Sequence, residues 1–313
     1  MNKLISIVAP MYNESEVLNI FFNEIEKCFI DINYDYEVIC INDGSTDNTY
    51  DLLKSKSDQN NAIKLISLSK NYGKEIALTA GIDNATGHAV IPIDCDLQDP
   101  VNIIPKLIKK WELGFDIVLA KRIDRSSDSF GKRYTSKLFY KLIDKISDIN
   151  IPSNVGDFRL MDKKVVQALR GFRERSRFMK GIMASLGFKE TTVEYKREPR
   201  VAGKTKWNYW KLYSLALEGI ISFTSLPLKI WSYIGAFVAF GAFSYGTFLI
   251  VKTLIFGIDT PGYASLMVVL LFMTGLILLC LGVIGEYLAR IFIETKDRPL
   301  YIVEERIGFY SDE

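Results

Sequence analysis

The chain has 313 residues, a formal net charge of +2 and 49% hydrophobic residues. This composition suits about two folded units and excludes a disordered protein. Four scattered cysteines, without a CxxC pair, are too few for a disulfide scaffold and predict reduced thiols in a cytosolic compartment. The single histidine, His88, excludes most histidine-based zinc, haem and triad chemistry. Catalysis would therefore use carboxylates, lysine, arginine and a hard metal ion.

The first part of the chain alternates between predicted strands and helices. Apolar, β-rich runs predict strands at Leu4–Ala9, Glu37–Asn42, Ile63–Ser69, Ala89–Ile93 and Asp116–Ala120. Helical patterns lie between them at Glu16–Phe29, Thr46–Lys56, Lys74–Asn84 and Val101–Leu113. Continuous apolar strands separated by helices predict an α/β fold with a mostly parallel sheet covered on both faces. Ligands of such sheets bind beyond the carboxyl ends of the strands.

Acidic clusters follow three of these predicted strands, at residues 10–14, 43–47 and 94–100. In the second cluster, Ser45 or Thr46 is expected to cap the next helix. Turns and caps do not explain Asp94 and Asp96, because neighbouring carboxylates repel one another and resist burial. A divalent cation would remove that repulsion, and oxygen ligands suit Mg²⁺ or Mn²⁺. A D-x-D pair alone is a weak signal, but the three clusters together predict a site for a metal and a diphosphate.

Charge is distributed unevenly along the chain. Residues 1–104 carry a net charge of −9 and residues 163–211 a net charge of +10. The basic part could bind nucleic acid, anionic lipid or a specific lipid phosphate. It lacks the aromatic stacking motifs of single-strand binders, so no nucleic acid is expected. Within it, four side chains are expected to be solvated surface charges: Lys163, Lys164, Arg170 and Arg173.

Two uncharged segments, 230–251 and 261–285, are long enough to be transmembrane helices. Buried core helices are the alternative. Basic residues on the outer flanks of this hairpin place both termini in the cytoplasm, and no signal peptide is expected. Aromatic and apolar residues between 207 and 228 predict interfacial amphipathic helices, with core packing as the alternative. The predicted division is a catalytic domain (1–205), juxtamembrane helices (206–229), a transmembrane hairpin (230–288) and a cytoplasmic tail (289–313).

The strand-end motifs, together with Gly156-Asp157-Phe158-Arg159-Leu160 and the two apolar segments, resemble glycosyltransferase family 2 enzymes of the GT-A fold. The combination is similar to the polyprenyl-phosphate glycosyltransferases, relatives of dolichyl-phosphate mannosyltransferase, and within them to the bacterial bactoprenol glucosyltransferases. The resemblance covers nearly the whole chain. One departure is Cys95, where relatives often carry a smaller residue, and this side chain is expected only to pack.

The resemblance implies a role for each candidate site residue. The nucleotide-sugar donor would contact Pro10, Tyr12, Glu14, Asp43, Lys74 and Asp94. Mg²⁺ or Mn²⁺ would be held by Asp94, Asp96 and Gln98. The acceptor phosphate would contact Arg122, Arg133, Arg159, Arg200 and Lys206. Asp96 and Asp157 would be catalytic, with Asp157 as base. Because a phosphate monoester is mostly deprotonated at neutral pH, Asp157 could instead be a positioning group. A solvated side chain is the alternative for Lys74.

The implied reaction is inverting transfer of glucose from UDP-glucose to undecaprenyl phosphate on the cytoplasmic leaflet of a bacterial inner membrane. The product would serve O-antigen or other cell-surface glycans. The sugar is left open between glucose, GlcNAc, a modified pentose and mannose from GDP-mannose. A processive polysaccharide synthase and a non-catalytic membrane scaffold are further alternatives. Expected partners are the lipid bilayer, a flippase, a downstream glycosyltransferase and a second copy of the chain, packed through small residues at Gly235, Ala239 and Ala242.

Overall fold

The computed structural model describes residues 3–123, 155–175, 177, 179–196, 226–256 and 262–309. In this part of the chain, the strands form one sheet: β1 Leu4–Met11, β2 Asp35–Asn42, β3 Ile63–Leu68, β4 Ala89–Pro92, β5 Ile117–Arg122, β6 Val155–Asp162, β7 Glu190–Tyr195 and β8 Val303–Ile307. The helices are α1 Leu18–Ile30, α2 Thr49–Gln59, α3 Lys74–Asn84, α4 Ile104–Glu112, α5 Lys163–Arg170, α6 Met179–Ser185, α7 Leu226–Phe256 and α8 Tyr263–Thr295. A 3₁₀ turn at Val101–Ile103 precedes α4.

The strand order is β7-β5-β6-β4-β1-β2-β3-β8. Strands β4, β1, β2 and β3 are parallel to their neighbours in that run, and β5 is parallel to β7. Strand β6 is antiparallel to both of its neighbours, and β8 is antiparallel to β3. The prediction of an α/β fold with a mostly parallel sheet is therefore confirmed, while β6, β7 and β8 were not predicted.

Helices cover both faces of the sheet and form two cores. On one face, α1 buries Phe21, Phe22 and Ile25 at helical spacing, beside Leu107 and Trp111 of α4. On the other face, α3, α5 and α6 pack against the sheet. Each large apolar side chain buried in this way contributes about 1.5–3 kcal/mol of burial free energy. The result is a rigid platform that presents its loops at the strand ends.

The crevice between β1 and β4 is the point where the strand order reverses. From β1 the parallel run continues through β2 and β3 on one side and through β4 on the other. Val8 of β1 lies opposite Pro92 of β4, so the acidic clusters that follow these two strands leave the sheet at the same edge. Doubly wound sheets bind their ligands at such a switch point.

Two long apolar helices follow the described part of the sheet domain. Helix α7 has 31 residues and α8 has 33, so both extend beyond the predicted spans. Within the described residues, the 24-residue segment Phe272–Thr295 of α8 is the one helix that is long and apolar enough to cross a membrane, by length and composition. The apolar stretch of α7, Tyr233–Phe248, is shorter. The second span stays a prediction, and nearly all of the predicted juxtamembrane segment lies outside the described residues.

The chain after α8 returns to the sheet. Strand β8 pairs with β3, and the Glu305 carboxylate accepts hydrogen bonds from the Tyr50 hydroxyl and from Lys54 Nζ, the latter at 3.2 Å. The segment predicted as a cytoplasmic tail therefore contributes an edge strand to the sheet.

The expectation that the basic side chains after β6 are simply solvated was wrong for Arg170. Its guanidinium donates to the carbonyl oxygens of Ile82 at 2.9 Å and Ala85 at 2.7 Å. Arg173 is exposed but pairs with Asp83 at 2.8 Å. Carbonyls at a helix end lack intrahelical partners, and an arginine from another element can satisfy them.

Candidate active site

Two of the strand-end loops are bonded to each other. The Asn13 side chain accepts the Thr46 N–H at 2.7 Å, and the Asn13 N–H donates to Ser45 Oγ at 3.1 Å. The expectation that Ser45 or Thr46 caps α2 was therefore wrong. Asn48 stands at the N-cap without a side-chain hydrogen bond, and Asp47 Oδ1 accepts the N–H of the first helical residue, Thr49, at 3.0 Å. The two residues bind the neighbouring loop because Asn13 offers a donor, its backbone N–H, and an acceptor, its side-chain oxygen.

Asp43 connects the loop after β2 to the loop after β3. Its side chain is buried, and the two carboxylate oxygens accept the N–H groups of Tyr72 at 2.7 Å and Gly73 at 2.9 Å. Burial raises the pKa of Asp43, and these two donors offset part of that rise. Gly44 has a φ of +64°, and a Cβ there would lie 2.5 Å from the Asn71 nitrogen. Asp43 thus holds the loop that leads into α3, and its predicted donor contact stays a prediction.

Lys74, the first residue of α3, lies between two carboxylates. Its Nζ is 2.8 Å from Asp94 Oδ1 and 2.8 Å from Asp157 Oδ2. Burial alone would lower the pKa of Lys74, but the two carboxylates outweigh it and raise the pKa. The ammonium therefore compensates an acidic residue that follows β4 and another from β6. The repulsion expected between carboxylates at this edge is relieved in part by a lysine, which sequence reasoning had left undecided.

Asp157 remains ionised in this environment. Burial alone would raise its pKa, but the charges of Lys74 and Lys180 hold the pKa well below its usual range. Its Oδ1 atom is buried and has no hydrogen-bond partner among the described residues. A carboxylate of such low basicity is a poor general base, since bases work best with a pKa near the operating pH. The unpaired oxygen is suited to accept a hydrogen bond from a substrate hydroxyl.

Glu75 is a site residue that sequence reasoning missed. Burial, together with the charge of Asp157, raises its pKa to about 7. Its Oε2 atom is also buried without a hydrogen-bond partner in the described part of the chain. The one signal available in the sequence is its place directly after Lys74 in the first turn of α3.

The loop after β4 carries oxygen ligands suited to a divalent ion. Asp96 Oδ1 accepts the Gln98 N–H at 3.1 Å, across Leu97, whose φ is +56°. Cys95 between the two aspartates is buried in the core, which confirms that it packs. No group of three or more His, Cys, Asp or Glu side chains in the described residues could hold a metal alone. Mg²⁺ commonly uses one or two carboxylates plus substrate phosphates, so the donor set of this loop fits the ion.

Two of the predicted acceptor contacts lie beside Asp157. Arg122 Nε donates to the Tyr195 hydroxyl at 3.0 Å, and its Nη2 would lie 3.2 Å from a Cβ on Gly156. Arg159 is 5% exposed and donates to the Gly156 carbonyl at 2.8 Å, so it supports the backbone that carries Asp157. Whether either side chain contacts a phosphate stays a prediction. The other predicted acceptor contacts, Arg133, Arg200 and Lys206, lie outside the described residues.

The predicted nucleoside contacts lie at the end of β1. Pro10, Tyr12 and Glu14 are half-buried there, and the Glu14 N–H donates to Thr49 Oγ1 at 2.9 Å. They lie at the same strand edge as Asp94, and their contacts with a donor stay predictions.

Comparison with known sequences decides the family. Residues 6–170 match the glycosyl transferase family 2 domain, and residues 226–291 match the GtrB C-terminal hairpin. The chain belongs to glycosyltransferase family 2. The family predicted from the strand-end motifs is therefore confirmed.

Similar family 2 proteins match this glycosyltransferase over nearly its whole length. An uncharacterised glycosyltransferase of Synechocystis is 52% identical over 97% of this chain and 96% of its own. A prophage bactoprenol glucosyl transferase homolog of Escherichia coli is 50% identical over 96% and 98%. The bactoprenol glucosyl transferase of Shigella phage SfX is 48% identical over 96% and 99%. Among solved structures, glucosyl-3-phosphoglycerate synthase from Mycobacterium tuberculosis, with Mn²⁺, UDP and phosphoglyceric acid, is 18% identical over 70% and 76%, with a TM-score of 0.49, too distant to assign a ligand here.

Proposed function

We propose that this glycosyltransferase transfers glucose from UDP-glucose to undecaprenyl phosphate. The observation that carries the proposal is the match, at 48–50% identity over 96% of the chain, to proteins named as bactoprenol glucosyl transferases or their homologs. The match includes the C-terminal hairpin, which suits an acceptor embedded in a bilayer. The acidic edge beside α3 supports a donor that carries a diphosphate.

The donor half of the site is proposed at the β1/β4 crevice. Its nucleoside would lie against the loops that carry Pro10, Tyr12, Glu14 and Asp43. Asp94, Asp96 and Gln98 would hold Mg²⁺ or Mn²⁺. When bound, the ion would neutralise negative charge that develops on the departing diphosphate.

The acceptor half is proposed around Asp157. An oxygen of the acceptor phosphate attacks the anomeric carbon, the bond from that carbon to the UDP oxygen breaks, and UDP leaves with the electron pair. The configuration at the anomeric carbon is inverted, and the product is the sugar linked to the prenyl phosphate. Because the second pKa of a phosphate monoester is about 6, no proton needs to be removed from most acceptor molecules at neutral pH.

The low pKa of Asp157 fits that reaction. We assign it the task of orienting a sugar hydroxyl through Oδ1, which has no hydrogen-bond partner in the described part of the chain, rather than that of a base. Lys74 holds Asp157 in place and shields it electrostatically from Asp94. The positive charge for the acceptor phosphate is assigned to Arg122, Arg133, Arg159, Arg200 and Lys206. A guanidinium group can bind two phosphate oxygens at once, and the ammonium of Lys206 would add a point charge.

The same proposal places the reaction at the cytoplasmic leaflet, by the basic flanks of the apolar helices. A product made on that leaflet needs a flippase and a second transferase before it can modify O-antigen or another surface glycan. Self-association through the apolar helices is proposed as well, on their small residues.

A donor panel tests the proposed reaction. The purified chain receives undecaprenyl phosphate, Mg²⁺ and labelled UDP-glucose, UDP-GlcNAc, a UDP-pentose or GDP-mannose, and label in the lipid phase is counted. The proposal expects transfer from UDP-glucose above all others. Asp157→Asn should bind UDP but turn over poorly. Asp116→Asn, which removes a carboxylate paired with Lys164 away from the site, should transfer normally.

The panel also separates the alternatives. Label transferred only from another nucleotide sugar would overturn the assignment of glucose. Polymer in place of a single sugar would indicate a processive synthase, and no transfer from any donor would indicate a scaffold.

A further inference from the structure

Four arginines at the end of α5 and in the segment that leads to α6, at positions 170, 173, 175 and 177, are called the arginine cluster. Three of them, Arg170, Arg173 and Arg175, contact other parts of the chain. Arg170 satisfies the carbonyls at the C-terminal end of α3. Arg173 pairs with Asp83 of α3, and the same Asp83 oxygen accepts the Tyr301 hydroxyl at 3.0 Å, from the segment that follows α8. The cluster therefore contacts both α3 and the chain that leaves the apolar hairpin.

Arg175 binds the end of α8 itself. Its Nη1 donates to the carbonyls of Ile293 at 2.7 Å and Glu294 at 2.8 Å, and its Nη2 donates to the carbonyl of Arg298. Its backbone N–H donates to Glu294 Oε1 at 2.8 Å. The Arg175 side chain is 14% exposed. The last carbonyls of a helix lack intrahelical partners and carry partial negative charge, so a rigid guanidinium fork is a strong cap for them.

These contacts join the apolar helix to α3 and α6, the two helices that carry Lys74 and Lys180, whose charges act on Asp157. Helix α3 begins at Lys74, and its other end is held by Arg170 and Arg173. Helix α6 follows the cluster directly and carries Lys180, whose charge helps keep Asp157 ionised. The segment Phe272–Thr295, long and apolar enough to cross a membrane, ends at the residues that Arg175 caps.

We propose that Arg175 is a positioning residue that sets the height of the active site above the bilayer. This inference rests on the proposed function, because it needs an acceptor whose phosphate is held at the membrane surface by its prenyl tail. With the cap in place, the catalytic domain would meet that phosphate at a constant distance. An acceptor that diffuses in solution would not need this distance to be set.

The test compares two acceptors with the full-length chain. One is undecaprenyl phosphate in phosphatidylethanolamine and phosphatidylglycerol vesicles that also hold the protein. The other is citronellyl phosphate, short and dissolved. In Arg175→Ala, kcat with undecaprenyl phosphate should fall about tenfold to a hundredfold, since misplacement by about 1 Å can cost about a hundredfold. With citronellyl phosphate, kcat and the KM for UDP-glucose should stay at the native values.

Arg170→Ala is the matched control, because it removes the same side chain from the same cluster but breaks contacts to α3 alone. It should lower the thermal midpoint without changing the ratio of the two activities. Arg175→Lys keeps the charge without the fork, and should recover part of the undecaprenyl phosphate activity while the chain stays folded.

An equal loss of activity with the two acceptors, in Arg175→Ala or in Arg175→Lys, would overturn the inference. Equal retention of activity with the two acceptors would overturn it as well. A changed ratio in Arg170→Ala would also overturn it. Failure of the proposed function is distinguishable, because the native chain would then transfer sugar to neither acceptor.

Discussion

The sharpest prediction concerns Lys74, whose ammonium is shared by Asp94 and Asp157 at 2.8 Å each. Lys74→Met removes the charge and keeps most of the side-chain volume. The charge of Asp157, whose Oδ1 atom is buried, would then be offset by the charges of Lys180 and Arg159 without that of Lys74. Breaking a buried ion pair from one side is costly because the remaining charge is left without compensation.

The magnitude follows from the exposure of the partners. Two unit charges about 4 Å apart near a protein surface interact by roughly 4 kcal/mol. The Lys74 side chain is 42% exposed and that of Asp157 20%, so solvent screens part of this interaction. We expect a loss of about 2–3 kcal/mol, below the roughly 3–5 kcal/mol of a fully buried pair. At about 2–4 °C per kcal/mol, the thermal midpoint should fall by roughly 4–12 °C.

The assay is thermal unfolding in detergent, with Lys70→Met as control, because Lys70 is exposed and contacts only the Tyr72 ring among the described interactions. The native pKa of Asp157 lies below its unfolded value, so its stabilisation is complete above about pH 4 and is lost as the pH falls further. The pKa of Lys74 is raised, so its stabilisation persists up to about pH 10. The difference in thermal midpoint between Lys74→Met and the native chain should therefore be constant near neutral pH and become smaller below about pH 4. A midpoint equal to that of Lys70→Met would refute this reasoning.

Two further predictions concern the loops and the missed glutamate. Gly44→Ala puts a Cβ 2.5 Å from the Asn71 nitrogen at a φ of +64°. The substitution should lower the free energy of unfolding, measured by urea denaturation, by roughly 1–3 kcal/mol. It should also weaken UDP binding. Gly87→Ala, which crowds the opposite end of the sheet, should lose stability with no specific effect on UDP. Glu75→Gln removes a carboxyl whose pKa is raised to about 7. A carboxyl whose pKa is raised by folding makes the native protein less stable as the pH rises through that pKa. The thermal midpoint of Glu75→Gln should therefore exceed that of the native chain at pH 8, and the difference should be smallest at pH 5. An equal difference at both pH values would contradict the environment assigned to Glu75.

The parallel core of the sheet could be predicted from the sequence because its strands and helices show in the pattern of neighbouring residues. Strands β1 to β5 are mostly apolar runs, and α1 repeats its buried residues at helical spacing. Strands β7 and β8 lie at the edges of the sheet and alternate between exposed residues and buried or partly buried ones, and their short polar patterns carry little signal. Strand β6 begins many residues after β5 and pairs antiparallel with it, and no periodicity in the sequence predicts this pairing.

The centre of the site depends on contacts between distant residues. Lys74 and Asp157 are far apart in sequence, and an isolated lysine at a helix start gives no sign that it will meet two carboxylates. Asp157 itself was singled out by resemblance to a family, since Gly-Asp-Phe-Arg-Leu has no chemical signature of its own. The role of Arg170 could not be foreseen either, because its partners are backbone carbonyls at the end of another helix.

We propose that the acidic edge at β1 and β4 holds a diphosphate together with a divalent ion. Calorimetric titration of UDP-glucose into the full-length chain, with Mg²⁺, with Mn²⁺ and with EDTA, tests it most directly. We expect UDP-glucose to bind with either ion, to lose binding in EDTA, and to show no binding to Asp96→Ala under all three conditions. Binding in EDTA at the affinity seen with Mg²⁺, or native affinity in Asp96→Ala, would contradict it.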